Sequence, residues 1–400
     1  MNNILVVGNG FDIAHGLLTK YDNFLYLMKN WIKFYAAFEK ARKNKERILE
    51  YKYYSTELWD EQIDKYLCNA SAMDKNLIDK LHVIICDNSW VKYFCNCEAE
   101  IDGWIDFEKE IYPVIELFKF VFDAHFSTAG HGVGHYEAYI DKRLFSPQNV
   151  RIAKLWDRYF DISRDNVVTV KAPYVSMQYG ILKKKIMDDL RKEFDNFIMA
   201  FEIYLHEFVH KLDDIKVLKQ IRGVGADFVI SFNYTLTEKL YGIKEENVHH
   251  IHGRIREELN DGINNMVLGV NECERCNMDF IYFVKYFQRI QKASGIKYKR
   301  FVNKTEVSKT GRMIKEKYKL YIYGHSLDET DEDILKYLIG DKGLEETINL
   351  KPEKIIIFYY DSTDYEQKVI NLIKLYGRTC VEECMERGGI LFVPTNGQFE

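Results

Sequence analysis

Residues 4–10 read Ile4-Leu5-Val6-Val7-Gly8-Asn9-Gly10, and Phe11-Asp12-Ile13-Ala14-His15-Gly16-Leu17 follows. A short apolar run without polar alternation is the pattern of a parallel strand covered on both faces. The spaced glycines that end it predict a tight turn in which bare backbone can approach another group. A helix starting there would point its N-terminal N–H groups at the same spot, which suits phosphate. The spacing is not G-x-G-x-x-G, because Ile13 stands at the third glycine position. Taken alone, the turn leaves two readings open: a nucleotide cradle, or a plain corner between strand and helix.

Beyond the turn the pattern becomes helical. Phe24, Leu27, Met28, Trp31, Tyr35 and Phe38 recur at three- and four-residue steps. Phe107, Ile111, Ile115 and Phe118 do the same, with a break expected at Pro113. Phe194, Phe197, Ile198, Phe201, Leu205, Phe208 and Leu212 form the clearest stripe. Few strands are expected between Asn23 and Lys219, and Gly130 to His135 reads as a loop. Strand signals return at Asp227–Ser231, Val248–Ile251, Met266–Val270, Lys319–Tyr323, Lys354–Tyr359 and Gly389–Val393, with helices expected at Asp331–Ile339 and Asp364–Tyr376. This alternation predicts an α/β fold with a Rossmann-type, mostly parallel sheet, built from residues 1–22 and 220–400 and interrupted by a helical insertion over 23–219. In such sheets ligands bind beyond the carboxyl ends of the strands. That rule selects Gly8 to Asp12, Phe232 to Thr235, His252 to Gly253, and Gly324 to Asp328.

Composition narrows the classes of function. With 400 residues and 47% hydrophobic content, the chain can bury a large core. A net charge of −5 predicts no broad attraction to nucleic acid or to an anionic membrane. The first apolar run is too short for a secretory leader or a membrane span, so a cytoplasmic location is expected. The 8 cysteines are scattered, consistent with reduced thiols. Cys273-x-x-Cys276 and Cys380-x3-Cys384 lack partner pairs at ribbon spacing, and no metal is expected. One string runs against that expectation. His206-Glu207-Phe208-Val209-His210 has the H-E-x-x-H form of zinc peptidases. Lys211 follows the second histidine, however, no third ligand occurs before Ala226, and both histidines flank the apolar stripe.

The strand-end segments resemble, in order, those of the sirtuin-like NAD-binding fold. Gly8, Gly10 and Gly16 follow the spacing of its glycine turn; Ser231, Asn233 and Thr235 fall on its T-x-N-x-D segment. His252-Gly253 matches its H-G pair, and Gly324-His325-Ser326 its later G-x-S turn. A closer resemblance, over nearly the whole chain, is to the AbiH family of bacterial abortive-infection proteins. It is carried by Gly8 to Leu17, Trp104-Ile105-Asp106-Phe107-Glu108, Phe232-Asn233-Tyr234-Thr235, His250-Ile251-His252-Gly253 and Gly324 to Asp328.

The resemblance implies anti-phage defence, with NAD as the substrate, cleaved to nicotinamide and ADP-ribose. Asn233 would orient the sugar or the attacking water, and His252 would act as general base. Gly8, Asn9, Gly10, Phe11, Asp12, Gly16, Thr235, Gly324, His325, Ser326 and Asp328 would line the nucleotide, with Gly8 and Gly10 bringing N–H groups to the diphosphate and Ser326 bonding a ribose. Three positions depart from the sirtuin pattern: Thr235 replaces an aspartate, Asp12 a serine and Leu18 a proline. They leave a second reading open, a sensor that binds NAD or ADP-ribose without turnover. The helical insertion would gate the pocket, mediate self-association into a homo-oligomer, or sense a phage-derived trigger.

Bland readings stand beside these. Asn233 could be a turn residue, and His252, His249 and His250 could be hydrogen-bonded core histidines. Asp328, Asp331 and Asp333 could only cap the next helix. Asp106 and Glu108 are two apart, too close in sequence to face each other on a helix.

Overall fold

The computed structural model describes residues 1–44, 72–97, 107–123, 152–153, 155–162, 168–176, 180–211, 215–259, 264–270, 278–307, 313–343 and 348–395. They form two compact units, one of Met1–Thr19, Leu212–Val267 and Arg289–Glu400, the other of Lys20–Lys211 and Leu268–Gln288.

The first unit is built on six strands: β1 (Asn2–Val7), β2 (Phe228–Ser231), β3 (Val248–His250), β4 (Tyr318–Tyr323), β5 (Lys354–Tyr359) and β6 (Ile390–Pro394). They form one sheet in the order β3-β2-β1-β4-β5-β6, with every pair parallel. This is the Rossmann order, which reverses direction between β1 and β4. The unbroken apolar runs have the expected cause. Ile4 and Val6 pack on one face with Leu320, Ile322, Ile355, Ile357, Leu338 and Leu372. Leu5 and Val7 pack on the other with Val229, Tyr323, Phe358, Phe11 and Ile221. The helices Glu332–Ile339 and Ser362–Tyr376 supply much of the first face.

The second unit is mainly helical. Its helices include Tyr21–Lys29, Trp31–Asn44, Lys75–Asp87, Phe107–Asp123 and Lys183–Tyr204. Phe24 meets the rings of Phe107, Phe197, Phe201 and Tyr204, so the aromatic stripes read from the sequence are its core. The helix Phe107–Asp123 runs through Pro113 instead of breaking there. Proline removes one rung of its ladder, and burial of Ile111, Val114, Ile115, Leu117 and Phe118 holds the rest. Two short hairpins, Phe160–Ile162 with Val168–Val170 and Val175–Ser176 with Gly180–Ile181, interrupt the helices.

The expected strand at Met266–Val270 does not form; only Val270 makes a lone bridge, to Val284. Its backbone is satisfied otherwise. Val267 N–H donates to His252 O at 2.7 Å, and the Gln288 amide brackets Leu268 at 3.1 and 2.6 Å. Residues 268–288, read from sequence as part of the α/β domain, return to the second unit. There Phe283 packs on Trp90 and Phe194, and Lys285 pairs with Glu108 at 2.6 Å. No described helix is long and apolar enough to cross a membrane.

The glycines at the first turn differ in what they are for. Gly16 has φ +84 with open space around it. It ends the helix Asn9–Ala14 through bonds from Gly16 N–H to Ile13 O and Leu17 N–H to Asp12 O, the pairing of a Schellman stop. Gly324 has φ +67, and a Cβ there would overlap Phe11 N. Replacing Gly16 by Ala should therefore cost only the strain of a left-handed residue, about 1–2 kcal/mol. Gly324→Ala should cost several times that or prevent folding. Urea midpoints of the two variants test this, and equal losses would contradict it.

Candidate functional site

The parallel register brings four strand ends level. His250 pairs with Ser231, Ser231 with Val7, and Val7 with Tyr323. At about 4.8 Å per strand, the four exits lie on a line about 14 Å long. The segments selected from sequence all leave the sheet along this line.

The turns after β1 and β4 pack directly on each other. A Cβ on Gly8 would come within 2.7 Å of Gly324 O, and one on Gly10 within 2.7 Å of Gly324 Cα. The N–H groups expected at a diphosphate are spent in this contact: Gly8 N–H donates to Tyr323 O at 3.1 Å, and Gly10 N–H to Gly324 O at 2.8 Å. Phe11 N–H bonds Gly8 O. The glycines thus permit close turn packing, and the Asn9 side chain accepts from Thr19 Oγ1 at 2.6 Å.

Asn233 is fixed from several sides. Its Nδ2 donates to Gly8 O at 2.9 Å, its N–H to Ser231 Oγ at 3.1 Å, and its carbonyl accepts from His250 Nδ1 at 3.0 Å. The carbonyl can only accept, so Nδ1 of His250 carries a proton. Nε2 of His250 faces Glu238 Oε1 at 3.3 Å. Both ring nitrogens thus face oxygen. His250 is therefore a brace for Asn233, as its bland reading held. His249 stacks on Tyr298 and donates from Nε2 to Ser294 O at 2.9 Å; burial drives its pKa down to about 4, keeping it neutral.

Asp12 lies beneath this brace, 1% exposed. Thr235 Oγ1 donates to its Oδ2 at 2.6 Å, and Thr237 Oγ1 to Thr235 Oγ1 at 3.2 Å, while Oδ1 is buried with no hydrogen-bond partner. Burial pushes the carboxyl up to about 6; the Thr235 and Thr237 hydroxyls oppose the rise and the charge of Glu238 adds to it. Asp12 and Thr235 thus face each other. His15, which the sequence reading passed over, ties the same helix down. Its Nδ1 donates to Phe11 O at 2.6 Å and its Nε2 meets Tyr241 OH at 2.7 Å, with burial lowering its pKa.

His252 points the other way, toward the β4 turn. Its Nε2 lies 3.1 Å from Asp331 Oδ1, and His325 Nε2 lies 3.5 Å from Asp331 Oδ2. Phe232 stands edge-on to both imidazoles, with centroids at 5.6 and 4.2 Å. Gly253, at φ +74, lets the carbonyl of Asn265 pass where a Cβ would stand. Asp328 caps the short turn Glu329–Asp331 through Thr330 N–H at 3.0 Å. Ser326 is exposed and its carbonyl accepts from Asn371 Nδ2 at 2.9 Å.

The H-E-x-x-H string is committed elsewhere. It falls in a π-helical turn, Leu205–Val209, which changes the facing of positions i and i+4. Glu207 is fully buried and accepts from Asp74 N–H, His206 Nδ1 and Lys211 Nζ, each at 2.7 Å. Burial works to raise its pKa, but these donors outweigh it and hold the group below the ordinary carboxylate range. A carboxylate so occupied is no free base for a peptidase, which removes the geometric basis for zinc hydrolysis at His206 and His210. Trp104, Asp106, Gly130 to His135, Cys273 and Cys276 lie outside the described residues.

The strand order and the polar residues gathered at its carboxyl edge define a Rossmann-type α/β protein with its candidate site at the strand ends. The chain belongs to the family described as bacteriophage abortive infection AbiH, whose model matches residues 4–350. It is thereby a protein of abortive infection, directed against phage. No curated protein and no solved structure matches it significantly.

The raised pKa of Asp12 has a stability consequence. An acid whose folded pKa exceeds its unfolded value favours folding only while protonated. Its penalty is absent below about pH 4, grows as pH rises to about 6, and levels near 3 kcal/mol above that. Asp12→Asn should therefore stabilise the protein at pH 8 by up to about 3 kcal/mol and change little at pH 4. Denaturation at both pH values tests this; equal destabilisation at both would contradict it.

Proposed function

We propose that the protein is an abortive-infection effector that cleaves NAD to nicotinamide and ADP-ribose. The observation that carries the reading is the placement of Asn233 and His252 just beyond the ends of two adjacent parallel strands of a Rossmann-order sheet. In the reaction the bond between ribose and the nicotinamide nitrogen breaks, and its electron pair leaves with nicotinamide. Water forms the new bond to the ribose carbon and releases a proton. Asn233, braced by Gly8, Ser231 and His250, carries no net charge, so it can orient sugar or water without opposing the positive charge that develops on the ribose. His252 can serve as the general base, taking a proton from a ribose hydroxyl or from the water.

One finding supports a second reading, a nucleotide sensor without turnover: Thr235, at a position where the resemblance implies an aspartate, is bonded to Asp12. Such a protein would bind ADP-ribose and release no product. In either case the helical unit is proposed to keep the protein silent until a phage product arrives, through gating or self-association.

Incubating purified protein with NAD and following nicotinamide separates the readings. Release is expected from the wild type, and a fall of about 100-fold or more from Asn233→Ala and from His252→Ala. Activity unchanged in both variants would overturn the assignment. No release with tight ADP-ribose binding would favour the sensor.

A further inference from the structure

We infer that Asp331 and His325 are positioning residues for His252, forming a His252–Asp331–His325 chain that fixes the tautomer and orientation of the ring. The inference rests on the reading of His252 as proton acceptor and extends it to two residues that reading did not use in this way.

The first observation is a cap that is not made. Asp331 occupies the N-cap position of the helix Glu332–Ile339, yet its side chain makes no capping bond. Among the described residues, other aspartates in this position make the bond. Asp361 accepts from Asp364 N–H, Asp74 from Asn76 N–H and Asp328 from Thr330 N–H. A capping bond is worth about 1 kcal/mol. Asp331 forgoes it and divides its two oxygens between two imidazoles, at 3.1 and 3.5 Å.

The second observation fixes the protons. Leu327 N–H donates to His325 Nδ1 at 2.9 Å, so that nitrogen is the acceptor and Nε2 carries the hydrogen facing Asp331. The turn is held firmly enough to impose this. Leu327 is fully buried, and its φ of +60 is strained for a residue with a branched side chain. The carboxylate of Asp331, with His325 Nε2 3.5 Å from one oxygen, takes the Nε2 hydrogen of His252 on the other at 3.1 Å. Nδ1 of His252 is then the unprotonated ring nitrogen. That nitrogen is buried.

A proton accepted at Nδ1 from a ribose hydroxyl or water leaves an imidazolium beside an anion already in place, the role a buried aspartate plays in a catalytic triad. The titratable groups beside His252 include Asp331 from the β4 side, with His325 behind it, and His249 from β3, which is held neutral.

The test is a histidine-detected NMR titration of ring-labelled full-length protein, with the His252 signal assigned by its loss in His252→Ala. Asp331→Asn is expected to lower the His252 midpoint by about one pH unit or more and to weaken the preference for the Nε2–H tautomer. Asp331→Glu should restore much of both, and His325→Gln should shift the midpoint less, in the same direction. An unchanged midpoint and tautomer in a folded Asp331→Asn protein would overturn the inference; if Asp331→Asn does not fold, an unchanged His252 in His325→Gln does so. In the NAD assay, the acid limb of kcat/KM should move down with the midpoint, and kcat should fall about tenfold or more with little change in KM. If the wild type releases no nicotinamide, the reading of His252 fails by itself, and the titration still decides the role of Asp331.

Discussion

The parallel register of β1 against β2 and β4 is the constraint on which the rest of the site depends. Val7 is level with Ser231 on one side and Tyr323 on the other. A slip of one residue would exchange the faces of every side chain in β1, sending Ile4 and Val6 into the wrong core and Leu5 and Val7 likewise. Because both faces are packed, the register is strongly specified. It delivers Gly8, Asn233, His252 and His325 to one edge although they are distant in sequence, and the close contact of Gly8 and Gly10 with Gly324 locks the two central turns together.

Polar groups at that edge divide into two sets with different characters. Asp12, Thr235, Thr237, Glu238, His250 and Asn233 form a buried set whose bonds brace one amide. The cost of burying its acids appears in the raised pKa of Asp12. His252, Asp331 and His325 form a second set around Phe232, with Asp331 13% exposed. The proposed cleavage would draw on both sets, a neutral group held still and a proton acceptor.

Much of this was legible in the sequence because parallel strands write themselves as unbroken apolar runs, and the rule of carboxyl ends then points to the residues that follow. Asn233 and His252 could be found that way. Other features depend on contacts that no local pattern records. Asp331 looks like a helix cap, and only the fold turns it toward a histidine 79 residues away. The glycine turn looks like a phosphate cradle, but the Gly8 and Gly10 N–H groups meet the carbonyls of Tyr323 and Gly324, more than three hundred residues further along. Met266 to Val270 has strand composition, and the amide of Gln288 takes the place of a neighbouring strand. The H-E-x-x-H string matches a motif in spelling alone, since a π-helical turn and three donors to Glu207 commit it to structure.

The central claim is that the four turns act as one nucleotide cleft. Hydrogen exchange of the full-length protein, with and without saturating ADP-ribose, addresses it most directly. The account predicts slower exchange together at residues 8–12, 231–237, 250–254 and 324–331. Saturation with protection at none of these segments, or at only one of them, would contradict it.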